Sequence, residues 1–235
     1  MSGSQSRRKR NESLAFFGTM IAGQSHELTN VLNIISELAG LQHDLLKAGD
    51  DDRPVDLSRL QEVASRIKNQ VDRGETIIRN TNQFAHSVDL PVAVFDLKEA
   101  IDRVLFLAER SARLAQVELI SRVPEESMAL ENNPFSLQQA VFICIDLALR
   151  SATDERRVTV GYSLGEDGAE IRIVSADTVS HDDPVTDKLG FLGLLLADLG
   201  GVLVKGPGEE PHNAFVLHLP LHPGGSSASD EPVRG

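Results

Sequence analysis

Between residues 14 and 45, apolar and small polar side chains recur at alternating spacings of three and four: Leu14, Phe17, Ile21, Gln24, Leu28, Val31, Ile35, Leu38, Gln42 and Leu45. This is a heptad a/d seam, and it predicts a long helix packed in a bundle or coiled coil. Gly49-Asp50-Asp51-Asp52-Arg53-Pro54 breaks the pattern. There the glycine supplies a stop and the proline prevents continuation. A second seam follows in Leu57, Leu60, Ala64, Ile67, Val71, Gly74, Ile78, Thr81 and Ala85. Two such helices joined by a short acidic turn form an antiparallel hairpin. A hairpin cannot bury both apolar faces by itself, so a second copy completing a four-helix bundle is the economical solution. A homodimer is therefore expected.

After Leu90-Pro91 the texture changes. Residues 93–95 read as a short strand, and Asp96 with Glu99 three residues on opens a helix to about residue 115. Strands are predicted over 117–123 and 128–130, and Pro134 and Ser136 begin a helix through 149. Residues 158–164 and 170–175 read as a hairpin around Gly165-Glu166-Asp167-Gly168. A helix over 189–199 closes on Gly200-Gly201, and strands over 202–205 and 214–219 complete the set. Helices interleaved with antiparallel strands predict a two-layer sandwich, so the class is α+β with an N-terminal two-helix hairpin. The expected organisation is a disordered basic tail over 1–10, the hairpin over 11–90, the sandwich over 91–221, and a disordered Gly/Ser/Pro-rich tail over 222–235.

Composition narrows the classes of function. A formal net charge of -12 argues against a nucleic-acid footprint, which needs clustered positive charge. The one basic run, Arg7-Arg8-Lys9-Arg10, reads as a solubilising tail. With aromatics at 4%, core packing falls to Leu, Ile, Val and Ala. Cys144 is the only cysteine and lies in an apolar run, so it reads as a small buried hydrophobe in a reducing compartment. No signal-peptide pattern follows the N-terminal charges, and no stretch reaches the roughly 20 apolar residues that span a bilayer. A cytoplasmic protein without a membrane span is expected.

The chemistry concentrates in Ser25-His26-Glu27-Leu28-Thr29-Asn30. On the heptad, His26 falls at f, the outermost site, Asn30 at c one turn along the same side, and Glu27 at g beside it. Neutral imidazole is a good nucleophile near physiological pH. A carboxylate can hydrogen-bond one ring nitrogen and leave the other free to attack. An amide four residues on can position a water for hydrolysis of a partner's acyl phosphate. His43 reads as a solvated helix position near the turn and His86 as a cation suited to a helix end, while His181, His212, His218 and His222 show no metal-ligand spacing with carboxylates or cysteine, so no metal site is expected.

The string Ser25-His26-Glu27-Leu28-x-Asn30-x-Leu32, followed by a helical hairpin, closely resembles the H-box of sensor histidine kinases. In that family the dimerisation and phosphotransfer domain is such a hairpin, paired into a four-helix bundle. The resemblance implies that His26 is the phosphoacceptor, Glu27 its acid/base helper, and Asn30 an aid to phosphatase action. It also implies receiver domains of response regulators as partners. Asn133-Pro134-Phe135-Ser136-Leu137-Gln138-Gln139-Ala140 is similar to the lead-in of the family's N-box helix, and the later element order fits its Bergerat-type ATP-binding domain. The resemblance covers about residues 11–221.

The departures all fall on the nucleotide site. The N-box asparagines that hold magnesium correspond to Ile143 and Leu147, which have no oxygen for a hard cation. Asp146 is adjacent, but a helical neighbour points about 100° away. The adenine-reading box is reduced to Ser175-Ala176-Asp177-Thr178, with Asp177 as the one cofactor-site candidate and no glycines to admit the base. The glycine-rich lead into the last helix has become Thr186-Asp187-Lys188-Leu189, behind a short lid from 178 to 188. The resemblance with these losses implies a histidine phosphotransfer protein that binds no ATP stably. The magnesium would come from the partner receiver. An autophosphorylating kinase with an atypical ATP site and a non-catalytic adaptor that docks receivers stand as the alternatives. With the H-box so near residue 1, a sensory domain within the chain is not expected.

Overall fold

The computed structural model describes residues 3–49, 55–152, 154–165, 168–175, 183–205 and 213–220. The chain divides into two compact units, Leu14–His86 and Ser87–Gly235, the latter including Met1–Ser13.

The first unit is the hairpin, made by α1 (Gly3–Lys47) from Leu14 onward and α2 (Leu57–His86). The start of α2 is fixed by Asp56, whose Oδ1 accepts the N–H groups of Ser58 at 3.0 Å and Arg59 at 3.2 Å. Both helices follow the expected heptads, with one refinement. On α1 the buried residues are Met20, Gln24, Glu27, Val31 and Leu38, which are d and g positions. On α2 they are Val63, Gly74, Ile77 and Phe84, again d and g. The a row is left half-covered or open, with Leu14 61%, Leu57 70%, Val71 43% and Ile78 48% exposed. Two antiparallel helices meet along one edge of the a/d seam, so the intramolecular contact takes d with one flank and leaves a on the far side. Phe84, fully buried, pins the end of α2 by stacking on Phe17 at 5.6 Å and meeting Phe16 edge-on at 5.7 Å between ring centroids.

The second unit is the sandwich. Its elements are β1 (Ala93–Asp96), α3 (Leu97–Ala115), β2 (Glu118–Arg122), β3 (Ala129–Asn132), α4 (Pro134–Ser151), β4 (Arg157–Leu164), β5 (Gly168–Ser175), α5 (Asp183–Asp198), β6 (Val202–Lys205) and β7 (Asn213–Pro220). The five-stranded sheet runs β2-β4-β5-β7-β6, and β1 pairs with β3 apart from it. Strand pairs are antiparallel except β2 with β4, which is parallel. Inward residues of the sheet, such as Val158, Val160, Ile171, Ile173, Leu217 and Leu219, meet Leu97, Ile101, Val104, Leu137, Val141, Ile145, Leu192 and Leu195 from the helices.

Local chemistry sets the boundaries. Asp96 caps α3 by accepting the N–H of Lys98 at 2.8 Å, and Asn133 caps α4 by accepting that of Ser136 at 2.7 Å ahead of Pro134. α5 ends as expected on Gly200, whose φ of 68° is the left-handed value a glycine stop requires, and Gly201 N–H bonds Leu196 O at 2.8 Å.

Two expectations need correction. Residues 183–188, assigned to a short lid, are the opening turns of α5, where Pro184 is compatible with a helix start and Val185 is buried. The basic run expected as a disordered tail is helical from Gly3, and it is held within the sandwich unit. There Arg8 pairs with Asp187 at 3.2 Å, Lys9 pairs with Asp198, and Ser13 Oγ donates to Gln139 Oε1 at 3.0 Å. The expected tail over 222–235 and the acidic residues 50–54 lie outside the described residues.

Candidate functional site

α1 presents the H-box residues on different sides. His26 and Asn30 are exposed one turn apart, with Ser25 and Thr29 exposed beside them. Thr29 Oγ1 donates to Ser25 O at 2.9 Å, so that hydroxyl is spent on the helix backbone. The His26 ring therefore stands on an open helical face, where a large partner can reach it.

Glu27 does not share that face. It is only 8% exposed, and its Oε2 accepts a hydrogen bond from Arg73 Nη2 on α2 at 2.9 Å. The heptad placed Glu27 on the flank next to His26, and the d/g mating face turns that flank inward. Between Glu12 and Glu37, His26 and Glu27 are the only ionisable side chains of α1. A carboxylate buried in so neutral a stretch needs a counter-charge from elsewhere. Arg73 supplies it, and sequence reading missed this residue. The signal was the isolation of Glu27, which calls for a cation without saying which. Beside the pair, α2 carries Gly74, and a Cβ there would meet Val31 Cγ1 at 3.4 Å.

A second group of candidate residues lies on α4. Ile143 is 9% and Leu147 1% exposed, both part of the apolar core. Asp146 is the one nearby carboxylate, and it is paired with Lys188 of α5 and with Arg150 at 3.0 Å. Ile143 and Leu147 therefore offer a hard cation no oxygen, and both cationic partners of Asp146 meet its Oδ2. Asp177 lies outside the described residues. Among the described residues no group of three or more His, Cys, Asp and Glu could hold a metal ion. Cys144 is fully buried on the same helix, and desolvation pushes its thiol far above the usual range. Among the described residues no helix is long and apolar enough to cross a membrane.

No family profile and no curated protein matches this chain. Solved structures do. A histidine kinase from Burkholderia phymatum aligns with a TM-score of 0.50 at 15% identity, covering 83% of this chain and 99% of its own. Acinetobacter baumannii histidine kinase AdeS aligns at 0.47 and 15% identity, over 84% of this chain and 98% of its own. A mycobacterial sensor histidine kinase, MprB, aligns at 0.44 and 22% identity, over 56% of this chain and 98% of its own. The first of these likenesses shows the fold: a helical hairpin followed by an α/β sandwich, shared with that histidine kinase.

Proposed function

We propose that this chain is a phosphotransfer protein of the two-component type, exchanging a phosphoryl group between the aspartate of a receiver domain and His26. The observation that carries this reading is a contrast between two sites on one kinase-like fold. His26 and Asn30 stand exposed on a single face of α1, while Ile143 and Leu147 are apolar and buried on α4.

In the proposed transfer, the lone pair of one ring nitrogen of neutral His26 attacks phosphorus. The P–O bond of the acyl phosphate breaks, and the receiver's aspartate leaves as a carboxylate with that electron pair. The other ring nitrogen keeps its proton. The receiver brings the magnesium that screens the phosphoryl oxygens. Asn30, one turn along, is suited to hold the water that would hydrolyse an acyl phosphate in the phosphatase direction.

Dimerisation belongs to the same reading. The open a row of Leu14, Leu57, Val71 and Ile78 is the stripe a second hairpin would cover in a four-helix bundle.

The test is to mix the purified chain with phosphorylated receivers, and separately with labelled ATP, and follow acid-labile label onto His26. The expected result is label from a receiver, none from ATP, and none in His26→Ala. Label from ATP would replace this reading with an autokinase. Label from neither source, with partner control unchanged in His26→Ala, would make the chain an adaptor.

A further inference from the structure

We infer that the first turns of α1, residues 3–13, are a strap held on α4 and α5 of the sandwich by charge, closed in this structure and released when its ion pairs are broken or screened. The inference stands apart from phosphotransfer at His26, and its test involves no phosphoryl group.

The strap has a definite seat. Gln139 of α4 lies about 200° round the helix from the core residue Leu137, so it points away from the sheet. Further along that outward side Asp146 and Arg150 are reached by solvent. Gln139 is nevertheless 1% exposed, because the strap covers it. Ser13 Oγ donates to its Oε1 at 3.0 Å, and its Nε2 donates to the main-chain oxygen of Glu12 at 3.5 Å. On α5, Arg8 Nη2 donates to Asp187 Oδ1 at 3.2 Å, and Lys9 pairs with Asp198 at the end of the helix.

What holds the strap is polar. Residues 3–13 include no hydrophobic side chain, so no apolar burial fastens them. Arg8 and Asp187 are 47% and 77% exposed at their side chains, and a pair so wet contributes little. Lys9 lies deeper, where burial opposes its charge and pushes the ammonium below its ordinary range. The run Arg7-Arg8-Lys9-Arg10 repels itself along the helix, and Glu12 is the one carboxylate within the strap. Asp187 and Asp198 supply the counter-charge that favours closure, and ions in solution can take their place.

Opening changes how the hairpin is held. The unit Leu14–His86 is inserted between Ser13 and Ser87 of the sandwich unit. With the strap closed, both ends of the hairpin run into the sandwich unit. With it open, only the end of α2 does, and the Gln139 amide is uncovered for another partner.

The experiment uses the full chain and trypsin, whose sites at Arg7, Arg8, Lys9 and Arg10 lie in the strap itself. Cleavage follows the population of the open form when opening is fast. Loss of the N-terminal residues is followed by mass spectrometry at about 0.02 M and about 0.5 M salt, between which the screening length falls several-fold. The wild type is expected to be cut about three- to tenfold faster at the higher salt, the range that two such pairs give. Asp187→Asn/Asp198→Asn keeps every cleavage site. It is expected to be cut at low salt as fast as the wild type at high salt, and to show no salt dependence beyond that of trypsin on a free peptide. Circular dichroism confirms that the variant is folded.

Equal low-salt rates in the wild type and the folded double variant overturn the inference. If the double variant does not fold, hydrogen exchange of the wild type decides. The amides of residues 7–13 are expected to exchange faster at high salt while those of residues 60–84 do not, and strap amides indifferent to salt overturn it. Protection that is lost on dilution of the wild type places the strap on a second copy and overturns its seat on its own sandwich.

Discussion

A Cβ placed on Gly74 would lie 3.4 Å from Val31 Cγ1 and 3.7 Å from Leu28 Cδ1, so α2 crosses α1 there with room for one methyl group and little more. Gly74→Ala should fit that space and relieve the backbone entropy of a helical glycine, raising stability by about 0.5–1 kcal/mol. Gly74→Leu should overpack the crossing and cost about 1–3 kcal/mol. Urea denaturation followed at a helical wavelength distinguishes the two. A destabilised Gly74→Ala would mean the helices sit closer than described.

The open a row makes a prediction about assembly. Val71 and Ile78 are 43% and 48% exposed in the single chain, so Val71→Asp and Ile78→Asp should cost the isolated hairpin little. In a bundle of two hairpins each places a charge in the seam. Light scattering after size exclusion should show a wild-type dimer and monomeric variants of unchanged helical content. A monomeric wild type would sink the bundle.

Leu147, which the sequence resemblance would match to a magnesium-binding asparagine, is 1% exposed. Leu147→Asn should therefore not rebuild a site. It would leave an amide in the core and remove packed methyl groups, at a cost of about 3 kcal/mol or more. Thermal melts with and without magnesium-ATP check this: a lower melting temperature that nucleotide does not restore is the expected result.

Asp96 carries a pH dependence of known sign. Burial opposes its charge. Hydrogen bonds from Ser127 Oγ at 2.5 Å and from the main-chain N–H groups of Lys98 at 2.8 Å and Met128 at 3.5 Å outweigh that, holding the carboxyl below its ordinary range. A carboxyl depressed in the folded state contributes stability that is full above its unfolded value and lost as pH falls through the folded one. Melting temperatures should therefore drop more steeply below about pH 4 in wild type than in Asp96→Asn. At neutral pH, Asp96→Ala should cost about 1 kcal/mol as a lost helix cap.

Cys144 is fully buried and desolvation holds its thiol protonated. A thiol-disulfide reagent should leave the native chain unmodified and titrate one thiol in denaturant. Rapid labelling of the folded protein would contradict the packing of α4.

Much of this was legible because local rules coincide with the fold. The heptads marked α1 and α2, β6 was read to the residue, and Asp96, Pro134 and Gly200 announced their helix boundaries. What escaped depended on partners distant in sequence. A heptad does not say which flank joins d in an antiparallel contact, so Glu27 at g flanks His26 in the sequence without any sign that it turns toward Arg73. The start of α5 is largely polar, and Val185, buried there, gives no period on its own. The charges of Arg8 and Lys9 resemble a solvated tail until Asp187 and Asp198 are brought near. The parallel pairing of β2 with β4 has no local signature at all.

That parallel pair governs the order in which the molecule can be built. Glu118 pairs with Arg157, and every residue of β3 and α4 lies between them. β2 therefore remains without a neighbour in the large sheet until β4 has formed, and the loop to be closed is long. The hairpin needs only a short turn between α1 and α2 and closes from near contacts. On a growing chain, the helices that carry the phosphoacceptor candidate can be in place while the sandwich is still waiting for its second strand.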